Sequence, residues 1–208
     1  MARAADVVWP LRAMLRAVLP PPFPPLSVLA DALGGVAVPE LEGAAIEAAV
    51  LVCLHDDAVL LARRALHPED PWSGHAALPG GRWEPGDASL LETALRETRE
   101  ELGIDPLAYG RVLGALGTHI GRGRRISGVR VAVFVAALDE RPELELSAEL
   151  EAVYWVPLAS LVPVTARVAE LPGSDVPAYA LELPGGEQLV VWGITYAILE
   201  RLRALPAA

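Results

Sequence analysis

The sequence has no lysine and no asparagine, a single cysteine, and no apolar run long enough to span a membrane. Each absence narrows the reading. Without lysine, every basic residue other than histidine is an arginine, a bias that reads as the codon usage of a GC-rich genome rather than as function. Cys53 lies in the apolar run 48–54 and has no partner for an internal disulfide, which fits a reducing, cytoplasmic setting. No window reaches about 18 uninterrupted apolar residues, so no membrane span is expected. Asp6, Arg12 and Arg16 break the apolar stretches of residues 1–19, and no clear small-residue cleavage site follows, so no secretory signal is expected either. Positive charge is also in deficit. The formal net charge of −10 argues against non-specific binding to nucleic acid or to an anionic membrane. It would also repel a phosphate-bearing substrate unless bound metal or clustered arginines supply local positive charge.

What is present reads as one globular domain with an appendage: 208 residues, 53% hydrophobic and 21% charged. Residues 1–40 are expected to form an extension, with a short amphipathic helix over 7–18 and a proline-rich connector over 19–26. The domain proper is expected over 41–208. Residues 48–54 and 59–62 read as strands around the turn His55-Asp56-Asp57, and 68–86 as a Pro- and Gly-rich loop. A helix is predicted over 89–102, strands over 111–118, 129–137 and 153–156, a hairpin joining 178–181 to 188–191, and a closing helix over 194–205. Strands before and after a central helix point to an α/β fold, a mixed sheet with helices on both sides.

The chemistry concentrates in residues 78–104. Ser89 with Glu92 forms a capping box that starts the helix, and Gly103 stops it. Leu91, Leu95, Thr98 and Leu102 make one stripe suited to packing on a sheet. Glu97, Glu100 and Glu101 make another, at positions i, i+3 and i+4. Three carboxylates that close repel one another unless a cation offsets them. Arg96 can pair with Glu100, and a hard divalent ion such as Mg2+ offsets the repulsion better, leaving coordination positions for water or phosphate oxygens. The Gly80-Gly81 turn lets the backbone approach that face and lend a carbonyl. The alternative for an isolated pair of glutamates is a solvated acidic helix.

Taken whole, the segment resembles the Nudix box, which runs Gly, five residues, Glu, seven residues, Arg-Glu-hydrophobic-x-Glu-Glu-x-Gly-hydrophobic. Gly81, Arg96, Glu97, Glu100, Glu101, Gly103 and Ile104 match it. Asp87 stands in place of the first Glu, eight residues rather than seven separate it from Arg96, and Thr98 replaces a hydrophobic residue. The resemblance implies an α/β/α sandwich and a pyrophosphohydrolase using Mg2+ or Mn2+. It implies Glu97, Glu100, Glu101 and the Gly80 carbonyl as metal ligands, with Arg96 orienting the glutamates. The general base is Glu97 or, as second choice, Glu149 in the later acidic segment 147–151.

Part of the chain is similar to the coenzyme A pyrophosphatase branch of that family. Leu60-Leu61-Ala62-Arg63-Arg64-Ala65 matches its upstream motif, and residues 74–81 match the following one with Leu78 for Phe. Thr93 to Glu97, the longer spacing after Asp87, Trp155 to Leu158 and Trp192 to Thr195 are similar as well. The departure is Asp70, where the branch carries Arg, in an acidic loop. The implied substrate is coenzyme A or an acyl derivative, with Arg63, Arg64 and Gly81 at the substrate. ADP-ribose, dinucleoside polyphosphates or nucleoside triphosphates are the alternatives. Arg122, Arg124 and Arg125 carry two readings, as phosphate-binding forks or as a solvated hairpin tip. His75 reads as a substrate contact or a loop anchor, Trp72 and Trp83 as base-stacking groups or loop anchors. A homodimer is plausible for such a protein, with the proline-rich arm contributing. The rival of another class is a Nudix-fold nucleotide-binding module without turnover, against which the complete glutamate triad argues.

Overall fold

A computed structural model of the chain describes residues 5–6, 20–43, 46–67, 73–120, 129–183 and 186–206. Strands β2 (Ile46–His55) and β3 (Ala58–Arg64) form the expected hairpin. Their side chains alternate between two cores. Val52, Leu54, Val59 and Leu61 enter one, while Ala49, Leu51, Cys53, Ala58 and Leu60 enter the other. Burial on both faces is why these strands read in sequence as unbroken apolar runs.

Strands β6 (Gly110–Ile120), β7 (Val129–Leu138) and β8 (Leu150–Pro157) extend the sheet. β7 runs parallel to β2, from Ile46 opposite Val129 to Leu54 opposite Ala137, whereas the β2–β3, β3–β8 and β6–β7 pairings are antiparallel. β1 (Ala5–Asp6) adds a parallel edge beside β8. Two short strands, β4 (Ala76–Ala77) and β5 (Gly80–Arg82), pair with β3 and β2. The sheet is therefore mixed, as expected, with the order β1-β8-β3-β2-β7-β6 among the described residues.

Helix α2 (Leu90–Leu102) covers one face. The other face carries α1 (Leu26–Gly34), α3 (Gly193–Arg203) and an antiparallel sheet of β9 (Pro163–Arg167), β10 (Asp175–Glu182) and β11 (Gln188–Trp192). This is the expected α/β/α layering, with a second sheet added to one layer. No helix of the described residues is long and apolar enough to cross a membrane.

Several features differ from expectation. The loop expected over 68–86 contains β4 and β5, too short to show a period of two and visible only through their partners. β9 was not anticipated, because an edge strand that begins at Pro163 and is exposed along much of its length lacks the apolar alternation of a core strand. Helix α1 lies inside the segment expected to be an arm, and its Leu29 and Leu33 are fully buried in the core. The helix expected over 7–18 lies outside the described residues.

Candidate active site

The helix that carries the acidic face begins and ends as its residues dictate. Ser89 Oγ accepts from Glu92 N at 3.2 Å, and Gly103 closes the helix at φ 69. Glu92 turns its own carboxylate to Arg99 Nη1, 2.9 Å away. Leu90, Ala94, Leu95 and Leu102 form the buried face, with Thr98 donating to Ala94 O at 2.7 Å so that its hydroxyl is satisfied. Leu91 is only half-buried, so the packed stripe includes Leu90 in its place.

β5 brings the glycine turn against the acidic face. Gly80, Gly81 and Arg82 pair with Val50, Ala49 and Ala48. At Gly80, φ 148, an added Cβ would lie 2.3 Å from Ala49 O, so the pairing tolerates only glycine. Gly80 N donates to Glu101 Oε2 at 3.0 Å. At Gly81 an added Cβ would lie 2.3 Å from Glu97 Oε1, which shows how closely that carboxylate lies against the turn.

Arg96 links the acids. Its Nη2 is 3.1 Å from Glu97 Oε1, its Nη1 donates to Glu100 Oε2 at 3.0 Å, and Nη2 also donates to Arg82 O at 3.0 Å. From the buried side Asp87 grips it with both oxygens, at 2.8 Å from Nε and 3.1 Å from Nη2. The Arg96 hydrogen bonds hold the Asp87 carboxyl below its ordinary pKa, with Glu84 N and Thr93 Oγ1 adding to the effect. Arg96 is correspondingly held more firmly protonated.

The glutamates behave oppositely. Desolvation pushes Glu101 up to about 7, against the opposing hydrogen bond from Gly80; Glu97 and Glu149 raise it further, and Arg64 lowers it. Desolvation likewise raises Glu97, with Arg96 opposing and Glu100 and Glu149 contributing. Glu149 therefore stands in the field of both, placed there by the bond from Ala65 N to its carbonyl at 2.8 Å. Among the described residues no group of three acidic, histidine or cysteine side chains is gathered at metal-ligand spacing. Arg96 and Gly80 N hold the α2 glutamates instead.

Arg63 and Arg64 part company. Ala58, Leu60 and Ala62 face α2, whereas Val59 and Leu61 face the opposite core, so strand alternation sends Arg64 toward Glu101 and Arg63 away from it. Arg63 Nη1 donates to Glu187 Oε1 at 2.6 Å, and its Nε lies 3.4 Å from Glu151. Arg63 is thus engaged by Glu187 and Glu151, while Arg64 lies in the field of Glu101. His75 is bonded to Glu170 at 2.7 Å and meets Trp192 edge to face, while Trp83 donates to Asp87 O at 3.2 Å. Arg122, Arg124, Arg125, Asp70 and Trp72 lie outside the described residues. What sequence reasoning missed is Asp87 as the anchor of Arg96, and Thr93 behind it. The signal was Asp87 itself, noted only as a departure from the box.

Comparison with known proteins agrees with this geometry. A family model described as the NUDIX domain matches residues 45–174. The chain is 32% identical to the "Uncharacterized Nudix hydrolase NudL" of Yersinia enterocolitica, over 73% of this chain and 75% of that protein. It is 38% identical to an uncharacterized protein of Schizosaccharomyces pombe over 50% of this chain, a match spanning 33% of the yeast protein's length. Its fold is similar to the crystal structure of a MutT NUDIX hydrolase from Burkholderia pseudomallei, with TM-score 0.51 and 20% identity, covering 75% of this chain and 96% of the other. With the box seated on its glycine turn and the family model covering most of the sheet, the chain belongs to the Nudix hydrolases, the family of pyrophosphohydrolases that act on nucleoside diphosphate derivatives.

Proposed function

We propose that this chain hydrolyses the pyrophosphate bond of coenzyme A or an acyl-coenzyme A, giving the phosphopantetheine half and adenosine 3′,5′-bisphosphate, with Mg2+ or Mn2+ as cofactor. The observation that carries the hydrolytic reading is the seating of Glu101 on Gly80 N and of Glu97 against Gly81, with Arg96 bridging to Glu100. The donor set fits a hard divalent cation: oxygen atoms only, two of the carboxylates with pKa raised chiefly by burial, so that a bound cation would offset the cost of their charge. Glu97, Glu100 and Glu101, with the Gly80 carbonyl, are the residues that would hold it. When bound, such an ion neutralises and orients the pyrophosphate.

The protein's own groups do the rest. Water attacks one phosphorus, the new phosphorus–oxygen bond forms as the bridging bond breaks, and the leaving phosphate keeps the electron pair. The water's proton passes to Glu97, or to Glu149 if that acid faces the water. Arg64, directed toward Glu101, supplies positive charge beside the phosphates.

The choice of substrate is supported by two segments similar to the coenzyme A branch, which the fold joins: Arg64 N donates to His75 O at 3.0 Å and Gly74 N to Arg64 O at 3.1 Å. The test is a hydrolysis screen with each metal over coenzyme A, acetyl-coenzyme A, ADP-ribose, diadenosine polyphosphates and nucleoside triphosphates, read by mass spectrometry with Glu100→Gln as the blank. Phosphopantetheine and adenosine 3′,5′-bisphosphate are the expected products. Preference for another substrate overturns the coenzyme A assignment. Folded protein inert on every substrate with both metals overturns hydrolysis and favours a nucleotide-binding module.

A further inference from the structure

The segment Trp192-Gly193-Ile194-Thr195, similar in sequence to the coenzyme A branch, has no part in the chemistry described so far. It lies beyond the region matched by the family model, at the join of β11 and α3. We infer that Thr195, aided by Trp192, is a positioning residue: it clamps β4 from the outside and thereby fixes the Gly80-Gly81 turn on which Glu101 and Glu97 are seated. The inference rests on the hydrolytic reading above for its catalytic consequence.

Strand β4 is two residues long and pairs with β3 along one side. Arg64 N donates to His75 O at 3.0 Å, so the next pair in register, Arg63 opposite Ala76, is a non-bonded pair of the antiparallel ladder. The Ala76 carbonyl therefore turns away from β3. Ala76 is buried, so that carbonyl needs a donor from the protein, and the buried Thr195 Oγ1 supplies it at 3.1 Å. Gly193, at φ 64, turns the chain from β11 into α3 and so aims Thr195 at β4; an added Cβ would meet nothing within 4 Å, so only the backbone angle calls for glycine. Trp192 meets His75 edge to face with ring centroids 5.2 Å apart, and Glu170 holds the same imidazole. The residue that leads into β4 is thus held from the second sheet as well.

From Ala76 to the site the path is short and stiff. Only Ala77, Leu78 and Pro79 precede Gly80. Leu78 is buried in the core that Ile198 and Leu199 of α3 share. Pro79 has a fixed φ, and its carbonyl accepts from Leu51 N at 2.9 Å. Gly80 N then donates to Glu101 Oε2. A displacement of Ala76 is passed to Gly80 because no residue between them is free to absorb it.

The test compares four full-length chains: wild type; Thr195→Val, which matches threonine in shape without the donor; Thr195→Ser, which keeps the donor; and Leu202→Val, which loosens the same helix about two turns further on. The first readout is hydrogen exchange at the Gly80 amide, taken relative to the amides of β7 and recorded by NMR without metal. The second is Mn2+ affinity, read from the electron paramagnetic resonance of the free ion, and the third is kcat and KM. Thr195→Val is expected to exchange Gly80 N–H at least 10-fold faster and to bind Mn2+ about 10-fold more weakly. Its kcat falls at limiting Mn2+ and returns as the metal is raised, with KM little changed. Thr195→Ser restores all three readouts, whereas Leu202→Val lowers the melting temperature and leaves the Gly80 ratio and Mn2+ affinity at wild-type values. A folded Thr195→Val with wild-type Gly80 exchange and Mn2+ affinity overturns the clamp. Equal effects in Leu202→Val overturn it too, since Thr195 would then act only through helix packing, and a Thr195→Ser that restores neither readout refutes the role of the hydroxyl. If Thr195→Val does not fold, Gly193→Ala, which strains the same turn without a clash, is read in the same way. Wild type inert on every substrate counts against the hydrolytic reading, and the metal-free Gly80 exchange still decides the clamp.

Discussion

Glu101 is 5% exposed and its carboxyl is pushed from 4.5 to about 7, chiefly by desolvation, with Glu97 and Glu149 adding to it and the Gly80 N–H and Arg64 resisting. The folded chain therefore keeps a proton that the unfolded chain has released. The resulting destabilisation is absent below about pH 4.5, grows as pH rises, and is complete above about pH 7, where it amounts to about 3 kcal/mol. Asp87 has the opposite sign: its depressed pKa contributes stability above the ordinary value of 3.8 that is lost as pH falls through the lowered one. Glu101→Gln should consequently melt several degrees above wild type at pH 8 without metal and level with it at about pH 4, while losing hydrolysis. Equal melting temperatures at pH 8 would show that the folded chain accommodates the charge without cost. Adding Mg2+ at pH 8 should close the gap by raising the wild type. Cys53, fully buried and pushed up to about 12, is an inert core thiol, so a thiol reagent should label it only after unfolding. Rapid labelling of the native protein would contradict that burial.

At the scale of elements, the three residues of β5 join strand pairing to the acidic face, and its two glycines fail differently when replaced. Gly80→Ala drives a Cβ against backbone, the Ala49 carbonyl and Val50 Cα at 2.6 Å, in a conformation that disfavours any side chain. It should cost roughly 2–4 kcal/mol, read from chemical denaturation. Gly81→Ala meets the far end of a flexible side chain, the Glu97 carboxylate, which can swing aside. Stability should change by less than about 1 kcal/mol, while kcat and metal affinity fall at least 10-fold as Glu97 leaves its place. Similar losses of stability in the two variants would mean that Glu97 is not free to move.

For the whole molecule, the region matched by the family model ends short of the elements that close one face. Residues 20–35 and α3 lie outside it, yet Leu29, Leu33, Ile198, Leu199 and Leu202 share one core with the central strands. Arg203, 6% exposed, ties the two flanks together. It stacks over Phe23 at 4.3 Å and over Tyr179 at 5.6 Å, pairs with Glu200 at 3.1 Å, and donates to the Leu161 carbonyl. Leu33→Ala should cost about 2–5 kcal/mol. Removal of residues 1–35 should abolish the cooperative melt by baring apolar surface on β6 and α3. A truncated chain that melts like the full one would make the segment a true appendage.

The acidic face of α2 was legible in the sequence because helical spacing alone places Glu97, Glu100 and Glu101 beside one another, and Ser89 and Gly103 mark the helix ends locally. Strands β2 and β3 were equally legible as apolar runs around the turn at 55–57, but which of their residues enters which core was not. Other assignments required the tertiary structure. Glu149 reaches the field of Glu97 and Glu101 only through a backbone bond to Ala65, and β5 exists only because β2 lies beside it. Arg63 and Arg64, adjacent in sequence, separate to opposite faces, and Asp87 becomes an anchor only when the turn at 84–87 folds back onto α2. Near neighbours along the chain were enough to define α2, its two ends and its row of glutamates, because helical spacing and capping are local. Which arginines lie beside those acids, and that residues 26–34 belong to the core, came from the packed whole, because burial and long-range pairing leave no local signature.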